Sequence, residues 1–138
     1  MVTMPDEVMK MFDNPDCDKE KALTWISTVT EDGEPHLAPA CFIKPVDKDK
    51  LLIGISFMSK TAANIEKGSR VAVANAVYPN GYMIKGSGEI MKTGKHFEDV
   101  KERINKRYGG KIKPKAALIV KVDEVYHLKP AEGKKRIA

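Results

Sequence analysis

Short runs rich in β-branched and aromatic residues recur along this chain, parted by turns of glycine, proline, aspartate and asparagine, and that close spacing constrains the fold more than any other feature. The run Ala22 to Thr30 holds Trp25, Ile26, Thr28 and Val29. Glu31-Asp32-Gly33-Glu34 follows, and its Asp-Gly pair is a hairpin cue because both residues tolerate the positive φ of a tight turn. Pro35 to Ile43 resumes as the partner strand. Pro35 and Pro39 cannot donate to a ladder, so this strand is an edge, bulged or interrupted. Asp47-Lys48-Asp49 makes another turn, and Leu51 to Phe57 is a third strand. Val71 to Tyr78 and Tyr82 to Met91 form two more, joined through Pro79-Asn80-Gly81. Ala116 to Val125 is the last, with Leu118, Val120 and Val122 alternating against Ile119, Lys121 and Asp123.

Three helical segments interrupt the strands. Pro5 suits the first turn of a helix running to Phe12, with Val8, Met11 and Phe12 on one face. Ser59 to Lys67 reads as a second, with Ser59 as its N-cap and Gly68 just past its end. Lys95 to Tyr108 is a third, carrying Phe97, Val100, Ile104 and Tyr108 on one side and stopped by Gly109-Gly110. The expectation is a mainly β single domain over residues 1–138, a six-stranded antiparallel barrel with short helices.

Several function classes lose support. No apolar run reaches the length of a membrane span, and the N-terminus lacks a signal-peptide core, so no membrane partner and a cytoplasmic location are expected. Cys17 and Cys41 are too few for a disulfide framework and read as free thiols, Cys41 as a small buried hydrophobe or, alternatively, a redox-active group. His36, His96 and His127 have no metal-ligand companions at short spacing, so no metal site is expected. A net charge of +5 admits nucleic acid, an anionic small ligand or mere solubility. Much of the excess lies in 101–115 and in Lys134-Lys135-Arg136, where it reads as solvated surface. A nucleic-acid-binding barrel would interleave aromatics with cations on exposed strands. Aromatics are only 7% of the chain and fall mostly at apparent core positions, so nucleic acid is not the expected partner; Trp25 reads as core, with a stacking role at the edge of a dimer as its alternative.

The segment that carries chemistry runs from Leu51 to Asn64. An apolar strand enters a turn, and the turn opens a helix whose start holds Ser59, Lys60 and Thr61. Helix starts expose unpaired N–H groups and partial positive charge, so phosphate binds well there. Lys60 adds a full charge, Ser59 and Thr61 add hydroxyls, and the Asn64 amide either bonds phosphate or fixes the loop. Ser59 alone would also serve as an ordinary cap. The frame of neither a P-loop nor a dinucleotide fingerprint is present.

Three blocks in order resemble the FMN-binding split-barrel family related to pyridoxamine 5'-phosphate oxidase, over roughly Ala22 to Glu124. They are Glu31-Asp32-Gly33-Glu34-Pro35-His36-Leu37-Ala38-Pro39-Ala40, Met58-Ser59-Lys60-Thr61-Ala62-Ala63-Asn64-Ile65, and Tyr82-Met83-Ile84-Lys85-Gly86-Ser87-Gly88-Glu89-Ile90. The resemblance implies a homodimer with one FMN per protomer near the interface. It places the phosphate at Lys60, Thr61 and Ser59 or Asn64, and the ring along backbone at Pro39, Ala40, Cys41 and Ile53, Gly54, Ile55, Ser56. Ala38, Ala40 and Gly54 would let backbone approach the ring, or serve barrel packing.

The chain departs from the oxidases themselves. They carry a glutamine where Gly81 stands, an arginine near Met83, and a C-terminal Arg-Leu-His substrate clamp where this chain reads Val125-Tyr126-His127-Leu128-Lys129-Pro130. Oxidation of pyridoxamine phosphate is therefore not expected. The leading reading is an FMN-dependent oxidoreductase or electron-transfer protein with a small-molecule or protein redox partner. The alternatives are a deazaflavin binder, a haem-handling relative with His127 as its candidate ligand, and a basic nucleic-acid-binding barrel.

Overall fold

The computed structural model describes residues 2–130 and 135–138. In chain order it contains α1 (Asp6–Met11), β1 (Thr24–Val29), β2 (Pro35–Ala40), β3 (Ile43–Asp47), β4 (Lys50–Ile55), α2 (Ser59–Glu66), β5 (Arg70–Val77), β6 (Asn80–Met91), α3 (Lys95–Tyr108), β7 (Ala116–His127) and β8 (Lys135–Arg136). The strands form one sheet in the order β2-β1-β5-β6-β7-β4-β3, with β8 also on β7, and every pairing is antiparallel. The fold is the antiparallel split barrel that the resemblance implies.

Two strands beyond the expected six appear. The run from Pro35 does not continue to Ile43: β2 stops at Ala40, the chain turns through Cys41 and Phe42, and β3 begins at Ile43. Ile43 is bridged on one side to Asn14 and on the other to Ile53, so its backbone groups are used in a new ladder. The basic tail is not merely solvated charge. Lys135 and Arg136 pair with His127 and Tyr126, while Lys134 lies outside the described residues.

Two apolar clusters hold the molecule. The larger fills the barrel with Ile26, Ile53, Ile55, Val73, Ile84, Leu118 and Val120. The smaller, Phe42, Leu52, Val100, Ile104, Ala117 and Ile119, glues α3 to the outside of β4 and β7. β4 and the Ala116 to Val120 half of β7 are buried on both faces, so each reads there as an apolar run, and β7 alternates only from Lys121 onward. Gly86 marks a register shift in β6, where a Cβ would collide with the Lys121 carbonyl, so only glycine fits.

On β1, Thr24, Ile26 and Thr28 point inward and Trp25, Ser27 and Val29 outward. Trp25 is therefore not a core residue; it is 41% exposed. The aromatics as a group are less buried than their composition suggested: Phe57 and Tyr78 are also exposed, and only Phe12, Phe42 and Tyr82 are buried. The side-chain period of two decides this, because Trp25 shares the face of Ser27 rather than that of Ile26. Buried Asn75 ties the N-terminal segment to the barrel: its Nδ2 lies within 3.3 Å of the carbonyls of Met11 and Ala22 and of the Thr24 hydroxyl. Among the described residues, no helix is long and apolar enough to cross a membrane.

Candidate cofactor site

The break between β2 and β3 puts Pro39 and Cys41 beside the C-terminal end of β4, where Gly54 and Ser56 point the same way. Together with Phe42, Phe57, Met58, and Ile104, Tyr108 and Ile112 of the α3 region, they line an apolar pocket of about 150 Å³. Strand alternation selects the members. Residues 39, 41, 54 and 56 face the pocket, whereas Ala40, Ile53 and Ile55 are buried in the barrel core.

Backbone availability differs between the two strands. β2 ends the sheet path and, among the described residues, has β1 as its only ladder neighbour, so half of its backbone groups face away from any described strand. β4 is paired on both sides, with β3 and β7, and its groups at Ile53, Gly54 and Ile55 belong to those ladders. Gly54 has a packing role as well: a Cβ there would stand 3.0 Å from Val100 Cγ1 and 3.1 Å from Phe42 Cβ. Its small size brings α3 against the strand.

The pocket opens toward the start of α2 through Phe57 and Met58. Met58, not Ser59, is the N-cap; Ser59 is already the first helical residue, and no side chain caps the helix. Ser59 and Lys60 are exposed. Thr61 and Asn64 lie on the inward face with Ile65. Thr61 is fully buried, and its Oγ1 has no hydrogen-bond partner among the described residues. The Asn64 amide donates to Thr28 Oγ1 at 3.1 Å, which ties α2 to β1. Of the two roles the sequence leaves open for Asn64, this is the one that fixes the segment.

The cysteines are not free thiols. Cys17 and Cys41 form a disulfide, and the Tyr108 hydroxyl lies 3.2 Å from Cys41 Sγ. A disulfide sulfur carries no proton, so Tyr108 donates. Cys41 is exposed rather than a small core hydrophobe. The bridge was hidden in the sequence because it spans 24 positions and depends on the β2–β3 break. Ile104 and Tyr108 were legible as one face of α3, but not as pocket wall.

A wider charged groove lies between β3 and α3, lined by Lys44, Lys95, His96, Asp99 and Glu102, with Lys44 and Asp99 paired at 2.7 Å. None of the expected cofactor residues lines it.

The pyridoxamine 5'-phosphate oxidase family profile matches residues 17–134. The chain belongs to this family. It is 34% identical over 134 residues to an uncharacterized protein of Methanocaldococcus jannaschii, covering 94% of this chain and 89% of that protein. It is 30% identical over 92 residues to the FMN-binding protein of Nitratidesulfovibrio vulgaris, covering 59% of this chain and 75% of that one. Among solved structures, HupZ of Group A Streptococcus superposes with a TM-score of 0.81 at 21% identity, covering 98% of this chain and 99% of that chain. That likeness is one of fold. Family membership places the chain among the split barrels related to pyridoxamine 5'-phosphate oxidase and leaves its own ligand to the chemistry of its residues.

Proposed function

We propose that this chain binds FMN and acts as a flavin-dependent oxidoreductase or electron-transfer protein. The observation that carries the reading is the convergence of Pro39, Cys41, Gly54 and Ser56 on one apolar pocket that leads to an uncapped helix start bearing Lys60. A flat apolar ring needs an apolar wall with few polar groups, and the pocket supplies one with Ser56 and Tyr108 as its polar members. A phosphate needs N–H donors and positive charge, which the start of α2 and Lys60 supply. An orphaned hydroxyl at that first turn, Thr61 Oγ1, is a group that a phosphate oxygen would satisfy. The family relationship and the FMN-binding relative support the same reading.

FMN bound here would supply one- and two-electron transfer. The chain's own part is to hold and shield. Lys60 neutralises the phosphate, the free edge of β2 offers backbone groups to the ring, and Phe42, Met58 and Ile104 keep water from its face.

A pocket of about 150 Å³ is smaller than the roughly 300 Å³ at which ligand sites usually begin. The remaining wall must come from elsewhere. Pro39, Leu37, Trp25 and Val29 form an exposed apolar stripe continuous with the pocket through Pro39, which fits a second copy of the chain. The reading therefore includes a homodimer.

The deciding experiment is the visible spectrum of the purified protein, followed by identification of any chromophore released on denaturation. FMN in the supernatant, or stoichiometric uptake of added FMN, is expected. A colourless protein that takes up no added FMN would overturn the reading.

A further inference from the structure

The Cys17–Cys41 disulfide has features that a purely structural bridge does not need. Its Cys41 half is exposed and lines the apolar pocket, whereas its Cys17 half is buried in the smaller core cluster. Cys17 has φ +54, a left-handed conformation disfavoured for a residue with a Cβ. The segment around it, Asp16 and Asp18 to Lys21, is exposed. Besides the disulfide, Asp16 is paired with Arg103 at 2.8 Å, Asp18 N–H donates to Asn14 Oδ1 at 2.8 Å, Lys21 Nζ donates to the Asp13 carbonyl at 2.8 Å, and the segment is anchored by the Asn14–Ile43 bridge. Tyr108 already aims a hydroxyl at Cys41 Sγ. On reduction that same hydroxyl would donate to the Cys41 thiolate, and hydrogen bonding to the charged form lowers a thiol's pKa.

We infer that Cys17–Cys41 is an exchangeable dithiol–disulfide site whose substrate is a low-molecular-weight thiol entering at the pocket mouth. The thiolate attacks Cys41 Sγ, the exposed sulfur. The bond to Cys17 breaks, and Cys17 leaves as a thiolate and takes a proton from solvent. A second thiol attacks the mixed disulfide on its own sulfur and releases Cys41 as a thiolate beside Tyr108. Two external thiols are oxidised to one disulfide, and the protein disulfide is reduced by the same two electrons. Reduction removes the covalent tether of the 15–21 segment, leaving the Asp18 N–H to Asn14 Oδ1 bond at 2.8 Å and the Asp16–Arg103 pair to hold it, and leaves a thiol in the pocket wall. The site needs no bound cofactor, so it stands or falls apart from the FMN reading.

The test uses the folded chain of residues 1–138 as purified, equilibrated in glutathione buffers from oxidising to reducing. Two titratable thiols per chain are expected to appear at reducing ratios and to vanish on reoxidation, while circular dichroism stays native. Trypsin is expected to cut after Lys19 and Lys21 faster in the reduced form. Thiols that appear only after denaturation would overturn the inference, and the bond would then be structural. Tyr108→Phe separates the phenol's part: the pH midpoint for alkylation of reduced Cys41 should move up. An unmoved midpoint would remove Tyr108 from the site. Flavin uptake, measured on the same samples, reports the other reading independently.

Discussion

Trp25 lies directly opposite Pro39 across the β1–β2 pair, and both side chains face outward. The same Pro39 lines the apolar pocket, so one residue joins the exposed stripe to the candidate ring site. Leu37, 60% exposed and opposite Ser27, extends the stripe. If a second chain covers it, Trp25→Glu should act at the centre of that contact. Removing a buried aromatic anchor costs about 2 kcal/mol or more, roughly 30-fold in dimer dissociation constant. Light scattering across a dilution series should show the variant dissociating first, with FMN affinity falling alongside. A variant as dimeric as the parent would place the interface elsewhere.

The two residues of the Lys60-Thr61 pair should behave differently, because one is exposed and the other is fully buried. Lys60→Ala should lower FMN affinity by roughly ten-fold, about 1.4 kcal/mol, through loss of a charged phosphate contact. Riboflavin, which lacks the phosphate, should bind the variant and the parent equally. Equal losses for both ligands would move Lys60 to the ring instead.

Thr61→Val removes a buried hydroxyl that has no partner among the described residues and keeps the shape of the side chain. The ligand-free protein should gain about 1 kcal/mol in denaturant unfolding, since an unsatisfied buried polar group is costly. FMN should bind less tightly if its phosphate is the hydroxyl's partner. Greater stability with unchanged FMN affinity would make Thr61 a packing residue only.

Much of the barrel was legible because its cues are local. The Asp32-Gly33 hairpin, the alternation along β7 and the glycine after α2 each act over a few residues, and Gly68 closes α2 with φ +101 as expected. What escaped the sequence depends on contacts between distant parts. Cys17 meets Cys41 only because β2 breaks at Ala40, and that break shows once Ile43 is seen to pair with Ile53. For Trp25 size argues for burial while register argues for exposure, and register decides for the edge alternative over the core. Within the candidate site, Lys60 could be picked out by residue type at a helix start, whereas Pro39 and Cys41 came only from the resemblance, which also named Ala40, a core residue. The share given to Ile104 and Tyr108 requires knowing that α3 packs on β4 at Gly54.

That packing makes Gly54 a sensitive position. Val100 Cγ1, Phe42 Cβ and Ile104 Cδ1 lie 3.0, 3.1 and 3.2 Å from where its Cβ would stand. Gly54→Val must push α3 outward or force strained rotamers, at about 1–3 kcal/mol. Denaturant unfolding should show that loss, and the pocket wall made by Ile104 and Tyr108 should shift with the helix. Stability equal to the parent would mean that α3 is held from its other end.

On the outer face of β7, Tyr126 donates to Glu124 Oε1 at 2.5 Å, with Arg136 and Lys85 nearby. The hydrogen bond from Tyr126 is the main force holding Glu124 below the ordinary carboxylate value of 4.5, aided by the charges of Arg136, Lys85 and Arg70 against some desolvation. The same bond, then burial and the Glu124 charge, raise Tyr126 above its ordinary 10.0. A lowered acid stabilises the fold above its unfolded pKa and loses that contribution as pH falls through the folded value. A raised phenol contributes below its unfolded pKa and loses the contribution as pH rises through the folded value. Tyr126→Phe should therefore lower the melting temperature most on the plateau between these limits. The gap from the parent should narrow below pH 4.5 and again above pH 10.0. Melting curves of both proteins across that range check the shape. A gap constant with pH would show that the hydroxyl acts through packing, not through its bond to the carboxylate.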